Sequence, residues 1–166
     1  MTYIRAIRAV AVISSGLMAG LLFGDWLGPA FARAKMNMSS TIEFQQIIHT
    51  NYLLTLPALS TIALGTAILW MVMVCDRRGE AEFKALFVAA IAIAIGYTIT
   101  LVFNVPVNNA LETWKAAAPP ANARDIWNRW EEAHVVRTVF WMAGFFLETI
   151  ALACATTGRD SGRQRV

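Results

Sequence analysis

Long apolar runs separated by short polar connections dominate the chain. Four runs, Ala9 to Phe31, Tyr52 to Cys75, Phe83 to Val107 and Thr138 to Thr157, reach the roughly 20 residues needed to cross about 30 Å of hydrocarbon as a helix. Their apolar residues lie all round the helix, as expected where lipid covers the outer face. Backbone groups in lipid must pair internally, which allows helices or closed barrels, and no run shows the ten-residue alternation of a barrel strand. The expected fold is therefore all-α: one integral membrane four-helix bundle over residues 1–166, with outward loops at 32–51 and 108–137.

Composition agrees. The chain is 57% hydrophobic and 15% charged, against about 45–50% and 25% in ordinary globular domains. Its 14 basic residues leave stretches of more than 20 positions with no Lys or Arg. This excludes a soluble globule, a disordered tail and a nucleic-acid binder, whose basic residues would form a water-facing patch; the partner is a lipid bilayer. Eight basic residues flank the N-terminus (Arg5, Arg8), the turn after the second run (Arg77, Arg78, Lys84) and the C-terminus (Arg159, Arg163, Arg165). The other six spread over the two longer connections. That bias places both termini in the cytoplasm and makes the chain a multi-pass plasma (inner) membrane protein, its long connections facing out. Arg5, Arg8 and the Ala32-Arg33-Ala34 segment resemble a cleavable signal, but the apolar run is long for one. Cys75 and Cys154 are too few and too far apart for a disulfide scaffold.

Against this background the polar residues inside the runs stand out. Gly16, Gly20, Gly24 and Gly28 recur every four residues, a ladder that lets helices approach closely within the bundle, in a homo-oligomer or in a complex. Trp127, Trp130, His134, Arg137 and Trp141 follow at intervals of three and four, so they share a face, which Glu148 continues deeper. Such a stripe should face the bundle interior or a wet cavity. Asn104-Val-Pro106-Val-Asn108-Asn109 ends the third run. Pro106 cannot donate to the carbonyl of Val102, so a kink is expected, with the asparagines able to satisfy the backbone or hold a ligand. A helical rise of about 1.5 Å per residue brings His49, His134, Asp25 and Asn104 towards the outward end and leaves Glu148 near mid-bilayer.

The Asn104–Asn109 segment, followed about 20 residues on by Trp127-x-x-Trp130-x-x-x-His134-x-x-Arg137, resembles the small four-span membrane family that contains the anthrone oxygenases, many members of which are labelled only as a domain of unknown function. Members with an assigned role oxidise an anthrone to an anthraquinone with molecular oxygen. The resemblance carries Asn104, Pro106, Asn108, Asn109, Trp130, His134 and Arg137 over as motif residues. Asp25 departs from it, standing where a less acidic stretch is expected.

Three functions follow as expectations. The first is a cofactor-free oxygenase acting on a small apolar aromatic, anthrone-type substrate. His134 would be the base, since imidazole titrates near neutrality. Asn104, Asn108 and Arg137 would stabilise the enolate oxygen, and Trp130, Trp141 and Asn109 would hold the rings. The second is a metal or haem binder in which His49, His134, Glu131 and Asp25 ligate copper, iron or haem, with Met36 and Met38 as soft ligands. Glu131-x-x-His134 has the spacing of half a di-iron site, with no second copy to complete it. The third is a non-enzymatic accessory subunit.

Overall fold

The computed structural model describes residues 2–163, with side chains for residues 3–155. Seven α-helices account for most of it: α1 (Thr2–Leu27), α2 (Pro29–Lys35), α3 (Met38–Tyr52), α4 (Thr55–Met73), α5 (Ala81–Ile99), α6 (Val105–Leu111) and α7 (Ala123–Arg163). A single 3-10 turn, Cys75–Arg77, links α4 to α5, and a π-helical turn, Thr100–Asn104, joins α5 to α6. Four units are long and apolar enough to cross a membrane: Tyr3–Lys35, Thr55–Met73, Ala81–Leu111 and Ala123–Ala155. The described residues thus form the expected helical chain, with four segments able to cross a membrane. The side chains of Arg159, Arg163 and Arg165 lie outside the described residues.

Three of the four units run longer than the apolar runs that announced them, whereas α4 is shorter than the run from Tyr52 to Cys75. Residues 32–51 fold largely into α2 and α3, and 108–137 into the end of α6 and the first turns of α7, rather than into open loops. The reason is packing. Ile42, Leu111 and Trp127 are buried there, so one apolar stripe suffices to fix a helix that a window of mean hydropathy passes over. Between α1 and α2 the ladder is interrupted where Pro29, which has no N–H, follows Gly28. α3 starts on Asn37, whose side chain accepts a hydrogen bond from the Ser40 N–H at 2.9 Å, an N-cap.

Around the bundle the order is α1, α4, α5, α7, each packed on the next and α7 closing on α1. α5 and α7 share the most extensive contact, with glycines at two points where the helices meet. A Cβ on Gly144 would collide with Ile93, and one on Gly96 would lie 2.9 Å from Trp141 Cδ1. Of the glycine ladder, Gly16 lies against Phe145 of α7, whereas a Cβ on Gly20 or Gly24 would meet nothing within 4 Å. Both of these glycines face outwards. Met18, Ala19, Leu22, Ala63, Ala67, Ile93 and Trp141 fill the middle. At the end carrying the α4–α5 turn, Arg8 pairs with Glu82, which also accepts from Trp70 Nε1 at 2.9 Å. Halfway along, Ser15 donates to the fully buried Glu148.

Candidate functional site

The opposite end of the bundle is built differently, starting with the π turn. Val105 N–H reaches back five residues to the carbonyl of Thr100, and the extra residue per turn accommodates Pro106, which a regular α-helix would not. In place of the kink expected at Pro106, the structure has a π turn just before the proline. It rotates Asn104 into the bundle, where it is fully buried and donates from Nδ2 to the Trp130 carbonyl at 3.1 Å. Asn108, one turn on, accepts from Trp130 Nε1 at 2.7 Å. Its carbonyl thereby engaged, Asn108 keeps an NH₂ free to donate.

On α7, the three-and-four spacing stacks rings one above another. Trp127 lies parallel to Trp130 (centroids 4.6 Å apart, 15° between planes), and Trp130 to His134 (5.2 Å, 9°). Two guanidinium groups lie against the stack: Arg33 over Trp127 and Trp130 at 5.6 and 5.5 Å, and Arg137 over Trp130 at 5.4 Å. Cations over indole faces are attracted by the ring quadrupole, more so away from water.

Arg33 was visible in the sequence only as a basic residue of a connection. In the structure it is a fully buried fork. Nη1 and Nη2 donate to the two oxygens of Asp25 at 2.8 and 2.6 Å, while Nε and Nη2 donate to Glu131 at 2.7 and 3.2 Å. Bidentate pairing of this kind is what makes a buried guanidinium tolerable. With Arg137 the cluster holds two cations and two carboxylates, so its charges cancel around the imidazole.

His134 occupies the centre and is 1% exposed. Arg137 donates to its Nδ1 from both Nε (3.2 Å) and Nη2 (2.9 Å). A guanidinium has no acceptor, so Nδ1 carries the lone pair and the neutral ring bears its proton on Nε2. That nitrogen lies 3.1 Å from Asp25 Oδ2, yet out of line for a good hydrogen bond.

Asp25, His134, Arg137, Asn108 and Trp130 all border one cavity of about 160 Å³ lined by α1, α3, α4, α5, the π turn, α6 and α7. His49 borders it from α3, where Nε2 is 3.9 Å from Glu112 Oε1. Gln45, which sequence reasoning passed over, is a buried cavity residue whose Oε1 finds no partner in the protein; only its apolar surroundings mark it.

Other expected site residues lie elsewhere. Asn104 bonds to backbone outside the cavity wall. Asn109 is exposed. Trp141 is core, against Gly96. Glu131 turns to Arg33 and Trp127 Nε1, which donates to it at 3.1 Å. Met38 packs with Leu111, Trp127 and Trp130, and Met36 offers its carbonyl to Arg124 at 2.9 Å. The ligand set of His49, His134, Glu131 and Asp25 does not gather: among the described residues no three His, Cys, Asp or Glu side chains could hold one metal ion. Arg33 stands between the two carboxylates.

A family model described as anthrone oxygenase matches residues 44–147, well over half the chain. The chain belongs to the anthrone oxygenase family. No curated protein and no solved structure matches it. The family segment supplies His134, Arg137, Trp130, Asn108 and Glu131. Asp25 and Arg33 come from α1 and α2, outside it, and complete the charge cluster of this family member.

Proposed function

We propose that the protein is a membrane-embedded oxygenase that converts an apolar, flat ketone of the anthrone type into the corresponding quinone with molecular oxygen. The observation that carries this reading is the buried imidazole held between Arg137 and Asp25 on the wall of a cavity that also carries leucine, isoleucine and valine side chains. The methylene of an anthrone lies across the ring from its carbonyl, so loss of one proton gives an aromatic enolate. Asp25 takes that proton, because the single basic lone pair of the neutral His134, on Nδ1, is committed to Arg137. His134 Nε2–H and the free NH₂ of Asn108 meet negative charge as it develops on oxygen. A carboxylate base working beside preorganised donors is an established solution for acidic carbon–hydrogen bonds.

The electron-rich carbon then adds O₂. The proton held on Asp25 returns to the peroxide, and removal of the second methylene hydrogen expels water and leaves the new carbonyl. In sum, one substrate and one O₂ give one quinone and one H₂O. Direct reaction of the carbanion with oxygen needs no organic cofactor. The basic-residue bias supports a site at the outer side of the inner membrane.

The test is oxygen uptake by purified protein in lipid with anthrone as substrate. One quinone per O₂ supports the proposal, together with loss of turnover in His134→Ala. Turnover no faster than in protein-free lipid refutes it.

A further inference from the structure

Resting on that assignment, we propose that the substrate reaches the cavity sideways, out of the hydrocarbon, through a portal between the start of α4 and the π turn. Four cavity-lining residues are themselves open to the surroundings: Leu53 is 52% exposed, Leu101 50% and Leu21 37%, and Pro57 is exposed as well. The surface continuing from the mouth is also apolar. Leu54 is 84% exposed on one side, and Val102 and Phe103 are 56% and 57% exposed on the other. Side chains of this kind around an opening make it a lipid-facing one, since in water such a contiguous patch is costly. Beneath the opening, Thr61 Oγ1 and Tyr97 OH lie 3.3 Å apart and tie α4 to α5, forming a sill.

α3 lies across the side of the cavity opposite the bundle core. Its Gln45, Ile48, His49 and Tyr52 roof the cavity. The roof is pinned, because Gln46 Nε2 donates to the carbonyls of Leu111 and Trp114 at 2.9 and 3.1 Å. A ring system dissolved in the bilayer can therefore arrive without crossing a polar surface, while a charged analogue of equal acidity is kept out. The portal thus selects for membrane-soluble substrates, and Leu53 and Leu101 are its specificity-determining residues.

Three forms, wild type, Leu53→Trp and Leu101→Trp, are compared in lipid with anthrone and with a sulfonated anthrone. Filling the mouth should lower kcat/KM for anthrone about tenfold while leaving kcat within about twofold, the signature of impeded arrival rather than impaired chemistry. Gln46→Ala, which loosens the roof, should leave kcat/KM for anthrone unchanged, and the sulfonated compound should be a poor substrate of the wild type. Equal turnover of both compounds overturns the portal, as does an unaltered kcat/KM in either folded tryptophan variant; should one variant not fold, the other decides. Binding of anthraquinone, followed by quenching of tryptophan fluorescence, separates the two proposals. Slower binding in the portal variants without wild-type turnover upholds the portal and removes the oxygenase assignment. Unchanged binding alongside wild-type turnover does the reverse.

Discussion

Arg137 holds Nδ1 of His134 from two of its nitrogens, at 3.2 and 2.9 Å, and in doing so decides which proton the imidazole carries. A histidine next to a lone carboxylate would be free to act as a base through its other nitrogen. Here that nitrogen is capped by a permanent cation, and the ring is left with one group to offer, the Nε2–H.

This division of roles can be measured. Asp25→Asn should lower kcat by roughly 10²–10⁴, the usual contribution of a general base. His134→Gln, which keeps an N–H donor, should cost less than Asp25→Asn does. Exchange of the anthrone methylene with D₂O in the absence of O₂ isolates the proton step. Faster exchange in Asp25→Asn than in His134→Gln would return the base role to the imidazole.

Arg33→Met strands two carboxylates in the cluster. Removal of one partner from a buried ion pair costs about 3–5 kcal/mol, so the variant should melt well below wild type. Arg33→Lys should recover only part of the loss, because an ammonium cannot reproduce the fork that spans Asp25 and Glu131. Thermal unfolding in detergent reports both.

Gly144→Ala should destabilise the bundle by about 1–3 kcal/mol, the range for an overpacked core, since its Cβ meets Ile93. Pairing it with Ile93→Ala should restore much of the loss. Gly20→Ala, with nothing within 4 Å, should leave monomer stability unchanged. A fall in oligomer size on this substitution would show that the outer part of the ladder joins two copies.

Pro106→Ala gives α6 a backbone donor and removes the reason for the π turn. A helix that relaxes to regular geometry turns Asn104 away from the Trp130 carbonyl. Turnover should fall about tenfold or more, as expected for misplacement near the chemistry, with the protein still folded by circular dichroism.

How far the site was legible depends on the distance over which its residues are related. Trp127, Trp130, His134 and Arg137 could be put on one face from their spacing, because a single helix fixes their relation. The same reasoning carried Trp141 onto the cavity face, and it failed there. One turn deeper, Gly96 lets α5 press against α7, and the indole becomes core. Asn109 was grouped with Asn104 and Asn108 by adjacency, yet the helix turns it outwards. Arg33 escaped notice because its partners, Asp25 and Glu131, lie on both sides of the Gly28–Pro29 break and on a helix far away in sequence.

The sequence by itself determined the solvent, the helical class, the number of crossing segments and the family, since these rest on hydrophobic run length and local motifs. Tertiary structure alone decided the tautomer of His134, the pairing of Arg33, the exclusion of Asn104 and Trp141 from the cavity wall, and the presence of Leu53 and Leu101 on it. Each of those depends on how two or more helices meet. That is fixed by glycine contacts, a proline-driven π turn and the cancellation of buried charge, none of which acts within one stretch of chain.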